Sequence, residues 1–178
     1  MLRKISEIYD RIGFAGVGKY NEFDQLRIAG IRHADLKGYA FSREDVDARS
    51  LANQYAQILG NVFTHEMKPM EVEILVSEVG QSAESDQLFH ILYDGTLVDE
   101  DHFCVLGGDS EAVAGRMAED WNAEAGRDET IALCVSALAG EDRTLNSLEL
   151  EVAILDRSAD RRRFTRLSDD VVASAIGT

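Results

Sequence analysis

The run Ile12-Gly13-Phe14-Ala15-Gly16-Val17-Gly18 constrains this chain more than any other stretch. It is apolar and rich in small residues, which fits a buried strand whose glycines let other backbone approach closely. Before it, Ile5 and Ile8 flank Ser6 and Glu7 in a short strand, and Tyr9-Asp10-Arg11 reads as a turn. After it, Gly18 ends the strand and Lys19-Tyr20-Asn21-Glu22-Phe23 opens a helix. Strand, turn, small-residue strand and immediate helix make a core-forming start around which the rest must pack.

The first helix runs from residue 19 to about residue 39. Phe23, Leu26, Gly30 and Ala34 form its close-packing stripe, and Gly38 serves as a stop. Ser42 and Asp45 resemble a capping box for a second helix over residues 44–67. Its buried face is Leu51, Tyr55, Ile58, Leu59, Val62 and Phe63, while Arg49, Asn53, Gln57 and Asn61 lie away from it. Lys68-Pro69 ends it.

Residues 71–79 alternate as a strand, with Val72, Ile74 and Val76 on one side. Residues 80–86 form a polar loop, and residues 88–93 a second strand. Asp94-Gly95 signals a hairpin, and residues 102–106 supply the third strand after the acidic Asp99-Glu100-Asp101. Asp109-Ser110 caps a helix lined by Ala114, Met117, Ala118 and Trp121; Asp128 caps another, with Ile131, Cys134, Val135 and Leu138 inward. Leu148, Leu150, Val152 and Ile154 alternate in a final long strand, partnered by residues 164–167, and Ser168 caps a terminal helix. Grouped helices and hairpin-linked strands predict an α+β fold with antiparallel sheets. The length fits one domain over residues 1–178, with 168–178 as a C-terminal helix or tail.

The net charge of −15 repels phosphate backbones, so no nucleic-acid partner is expected. Arg161-Arg162-Arg163 reads as a solvated turn between two strands. Cys104 and Cys134 sit in apolar runs as small buried hydrophobes, without a disulfide framework, which fits a reducing cytoplasm. Met1-Leu2-Arg3-Lys4 leads into a strand pattern rather than a signal peptide, and no run is long enough to span a bilayer, so no membrane partner is expected.

His65-Glu66 lacks a second histidine at helical spacing. His102 and Cys104 alternate on one strand face without a completing pair, and His33 and His90 stand alone, so neither metal nor cofactor is expected. Gly107-Gly108 is crowded by Asp109, Glu111, Glu119 and Asp120 and lacks a phosphate-loop lysine, so a tight turn accounts for it. Asp169-Asp170 and Asp99-Glu100 belong to solvated loops.

The opening stretch is followed by Gln54-Tyr55-Ala56-Gln57, then Lys68-Pro69 before Glu71-Val72-Glu73, then Tyr93-Asp94-Gly95. Gly107-Gly108 before a helix and Leu148-Glu149-Leu150-Glu151-Val152-Ala153 complete the series. In this order and spacing, up to about residue 167, they resemble proteasome core-particle alpha subunits, most of all the actinobacterial type. That resemblance implies a four-layer α-β-β-α sandwich of antiparallel sheets, the fold of the N-terminal-nucleophile hydrolases. It implies a non-catalytic subunit, seven to a ring, stacked on beta subunits that hold the threonine nucleophiles. Such a ring templates assembly, admits unfolded protein substrates and docks a ring-shaped ATPase.

By the same resemblance, Lys4 matches the lysine in the pocket between neighbouring alpha subunits, where it receives the C-terminal carboxylate of an activator. No catalytic residue is expected: Met1 is no nucleophile, and Gly95-Thr96 lies in the hairpin rather than at a processing site. Two rival readings are a catalytic N-terminal-nucleophile hydrolase, which needs a nucleophile exposed by processing, and a stand-alone scaffold domain of the same fold. Set against the family, the gating tail, first helix and first strand hairpin are expected to be missing before this stretch, leaving an open sheet edge.

Overall fold

The structure, a computed structural model, describes residues 2–177. Met1, and the reading of it as no nucleophile, therefore lies outside the described residues.

Five strands form the main sheet in chain order, every neighbouring pair antiparallel: β1 (Ile5–Tyr9), β2 (Ile12–Gly18), β3 (Val72–Glu78), β4 (Gln87–Ile91) and β5 (Leu97–Asp99). The register sets Phe14 opposite Val76 and Val76 opposite Phe89, with Ile74 opposite Ile91. These side chains line one face, each at most 1% exposed. Two helices cover that face, α1 (Tyr20–Ala40) and α2 (Ala48–His65). The Phe14 ring lies 5.1 Å from that of Phe23 on α1 and 5.4 Å from that of Tyr55 on α2. Full burial of such a side chain stabilises the fold by roughly 1.5–3 kcal/mol, so this three-ring contact anchors both helices to the small-residue strand.

The other face of the sheet meets a second, two-stranded sheet, β6 (Ala153–Leu155) and β7 (Phe164–Arg166). A Cβ at Gly13 would lie 3.6 and 3.9 Å from the Leu155 methyls, so the two sheets are in van der Waals reach there. Beyond it lie α3 (Ser110–Asp120), α4 (Arg127–Ala139) and α5 (Asp169–Ile176). The layers therefore run helix, sheet, sheet, helix. Arg157 ties the two sheets together: its Nη1 donates to the Gly80 and Ser82 carbonyls at 2.8 and 2.9 Å, and its guanidinium also holds the Asp86 carboxylate.

Several expectations need correction. Gly38 does not stop α1, which continues to Ala40; a Cβ there would lie 2.2 Å from the Tyr9 hydroxyl, so Gly38 makes room for that ring. The second helix does not begin at residue 44. Ser42 caps a separate 3₁₀ turn, Arg43–Asp45; buried Val46 then keeps the backbone extended, and Asp47 caps α2 by accepting from the Ser50 amide at 2.7 Å. The helix stops at His65, and Phe63, within its last turn, is 47% exposed with its ring against Tyr93 rather than buried.

The third strand is Leu97–Asp99, not residues 102–106. The turn bonds Gly95 N–H to Leu92 O and Leu92 N–H to Thr96 O place Leu97 directly opposite Ile91, so pairing resumes at once. The segment that follows is irregular, and His102 stacks on Trp121. The long strand from residue 148 is only Ala153–Leu155. Asn146 caps a 3₁₀ turn over Ser147–Glu149, Leu148 is 74% exposed, and three-residue β7 offers no longer partner. Nor is the arginine turn merely solvated: Arg162 pairs with Glu7, and Arg163 donates to the Gly80 carbonyl. Ala118 is exposed rather than inward, and Leu138 is 44% exposed.

Candidate functional site

Lys4 sits one residue before β1, the edge strand of the five-stranded sheet. Its backbone is held from two sides. The Lys4 amide donates to the Glu151 carboxylate at 2.8 Å, and its carbonyl accepts from the Gly16 amide at 3.2 Å. Glu151 is in turn paired with Arg166, whose Nη2 donates to the Ile5 carbonyl at 2.6 Å. One ion pair thus fastens the second sheet to the first turn of β1 and sets where Lys4 stands. The side chain itself is exposed.

Beside it an open cleft of about 700 Å³ is lined by Arg3, Arg27, Arg162 and Arg166, with Glu7 and Tyr20. Three of these arginines are engaged by carboxylates: Arg27 by Asp24, Arg162 by Glu7 and Arg166 by Glu151. Burial, and after it the charge of Arg3, pull the Arg166 pKa below its ordinary value. Among the described residues, Arg3 and Lys4 enter no ion pair. An exposed cation pair on a fixed backbone, in a chain of net charge −15, can accept an incoming carboxylate. Sequence reasoning named Lys4 by resemblance alone and did not foresee Glu151 and Arg166, which reach the Lys4 amide and the Ile5 carbonyl across 147 and 161 residues of chain.

Thr96, the threonine of the Gly-Thr pair, is a turn residue whose amide donates to Asp94 at 2.9 Å. Gly107-Gly108 forms the bend before α3, as expected. The histidines are not all solitary, however. His90, Glu100 and Cys104 bring one potential ligand atom each to within 4.8 Å of one another, a grouping that the isolated reading of His90 missed. His102, on the other hand, is spent on Trp121.

A protein-family model described as "Proteasome subunit" matches residues 1–155. The chain belongs to the proteasome subunit family. It is 59% identical over 176 residues to the proteasome subunit alpha of Acidimicrobium ferrooxidans, covering 99% of this chain and 76% of that one. To the alpha subunit of Sanguibacter keddieii it is 51% identical, covering 99% and 73%. To that of Kineococcus radiotolerans it is 47% identical, covering 98% and 78%. It is a non-catalytic, alpha-type subunit of the actinobacterial kind, and it works with other subunits of a proteasome core.

The residues that carried the resemblance are mostly packing devices of this proteasome fold. Tyr55 fills the centre of the core. Lys68 bridges Glu22 and Glu71, and Glu22 accepts from the Glu71 amide at 2.7 Å, which joins the start of α1 to the start of β3. Glu151 clamps Lys4. No helix among the described residues is long and apolar enough to cross a membrane.

Proposed function

We propose that residues 1–178 form one domain that takes its place in a seven-membered alpha ring in the cytoplasm. The ring stacks on beta subunits that hold the nucleophiles, templates their assembly and admits unfolded protein substrates. It docks a ring-shaped ATPase, and Lys4 receives the chain-terminal carboxylate of that activator. The observation that carries this reading is the exposed Lys4 side chain on a backbone fixed by Glu151 and Gly16, without an ion-pair partner among the described residues. An ammonium on such a backbone keeps its stem free to reach an incoming carboxylate and, among the described residues, gives up no ion pair to do so.

The test is Lys4→Ala in alpha subunits assembled with beta subunits. A charge-assisted contact to a carboxylate contributes roughly 1.5–3 kcal/mol, so one pocket weakens about tenfold or more. Several pockets engage one activator ring, and the losses compound. ATPase-dependent degradation of folded substrates falls steeply, while cleavage of short peptides by gate-deleted particles, which need no activator, stays near wild type. Equal loss of both activities would assign Lys4 to folding or assembly, and no loss of either would make it a solvated surface lysine.

A further inference from the structure

On the sheet face turned away from α1 and α2, three polar side chains gather around the imidazole of His90. His90 on β4 is opposite Leu75 of β3 and Val98 of β5. Glu73 and Glu100 are therefore its diagonal neighbours on the same face, one from each flanking chain. The Nε2 of His90 is 3.6 Å from the Glu73 carboxylate, and its Nδ1 is 3.5 Å from that of Glu100. Cys104 folds back over them from the irregular segment after β5, within 4.8 Å of the ligand atoms of His90 and Glu100. The His90 side chain is only 15% exposed, and its buried Nε2 finds no hydrogen-bond partner at the present separation.

We propose that His90 Nδ1, the Glu100 carboxylate and Cys104 Sγ bind a single zinc-class divalent cation, with water in the fourth position. The donor set argues for this class: mixed nitrogen, sulfur and carboxylate ligands suit zinc, whereas magnesium and calcium take oxygen alone. Glu73 supplies the supporting contact. On metal binding Glu73 closes from its present 3.6 Å to accept from Nε2–H, which fixes the tautomer that leaves the Nδ1 lone pair free, the usual arrangement of a carboxylate behind a metal-bound imidazole.

The charges agree. Without a cation, two glutamates crowd one imidazole, and burial together with the Glu100 charge pushes the Cys104 thiol up to about 12. A bound dication reverses that balance. Cys104 passes its proton to solvent and ligates as thiolate, so thiolate and Glu100 together neutralise the ion. Ligands of a tetrahedral zinc lie roughly 3.3–3.8 Å apart, and the present spacing closes to that by side-chain rotation of about 1 Å.

The experiment titrates the purified chain, first stripped with a chelator, with cobalt(II) and then with zinc(II). One equivalent of cobalt should produce a near-ultraviolet thiolate-to-cobalt charge-transfer band, which zinc displaces, with one proton released per zinc bound. Cys104→Ser should abolish the band and weaken zinc binding at least tenfold. Cys134→Ser, at a half-buried thiol on α4 outside the cluster, should leave both unchanged. Absence of the band in the wild-type chain, or its survival in Cys104→Ser, overturns the proposal. The wild-type titration alone can refute it, whatever the variants do.

Discussion

Gly30 and Tyr55 meet where the two helices cross, and the contact leaves no slack. Tyr55 is fully buried, which holds its phenol pKa well above the ordinary value. A Cβ on Gly30 would lie 1.8 Å from the Tyr55 hydroxyl and 2.7 Å from its ring carbon. In an open helix Gly→Ala gains up to about 1 kcal/mol, but overpacking a close-packed core costs roughly 1–3 kcal/mol or more. Since the neighbour here is a fully buried ring, the steric cost wins and Gly30→Ala lowers the thermal midpoint. Adding Tyr55→Phe removes the 1.8 Å clash and keeps the 2.7 Å one, so the double variant recovers part of the loss. Simple additivity of the two substitutions would show that the contact is not formed.

At the scale of the element, α2 is held by a narrow apolar face. Leu51, Ala52, Tyr55 and Leu59 are at most 1% exposed, while Asn53, Gln57 and Asn61 are exposed and Arg49 reaches over the Phe89 ring to Asp99. Leu59→Ala is expected to cost about 2–5 kcal/mol, as large-to-small changes in cores do. Asn53→Ala, two turns nearer the start of the helix and on the outer face, should stay within about 0.5 kcal/mol. Denaturant unfolding of the two variants distinguishes the faces; equal effects would mean that α2 does not bury this stripe.

Across the whole molecule, ion pairs join segments distant in sequence, and they set its response to acid. Arg43 holds the Asp10 carboxyl below its ordinary pKa through direct hydrogen bonds. Burial alone would raise Asp47, but Lys37 and the Ser50 amide bring it below the ordinary value. Burial also works against Asp86, and Arg157 with the Gly80 amide again lowers it. A depressed folded pKa means stability that is present above the unfolded value and lost as pH falls through the folded one. The thermal midpoint should therefore drop as pH goes below about 4. Asp86→Asn should flatten that acid slope, because it removes one of the titrating groups. An acid slope identical in Asp86→Asn and wild type would show that the Arg157 pair does not couple to folding.

What the sequence determined by itself was whatever local periodicity and turn chemistry encode. The small-residue strand Ile12–Gly18, the α1 stripe Phe23, Leu26, Gly30 and Ala34, and the alternation of Val72, Ile74 and Val76 all appear where the residues put them. The order of the motifs also carried the family, because spacing along the chain survives without any knowledge of contacts. Tertiary structure decided what depends on a partner. A strand is only as long as the strand beside it, so β6 ends with three-residue β7, and Leu97–Asp99 takes the place beside β4. Asp47 displaced Ser42 as the cap of α2 because Val46 is drawn into the core first. Lys4 entered only through the resemblance, and Glu151 and Arg166, which hold the backbone of Lys4 and Ile5, lie far along the chain. Glu73, His90, Glu100 and Cys104 came together only through the register of β3, β4 and β5, which no single-strand pattern specifies.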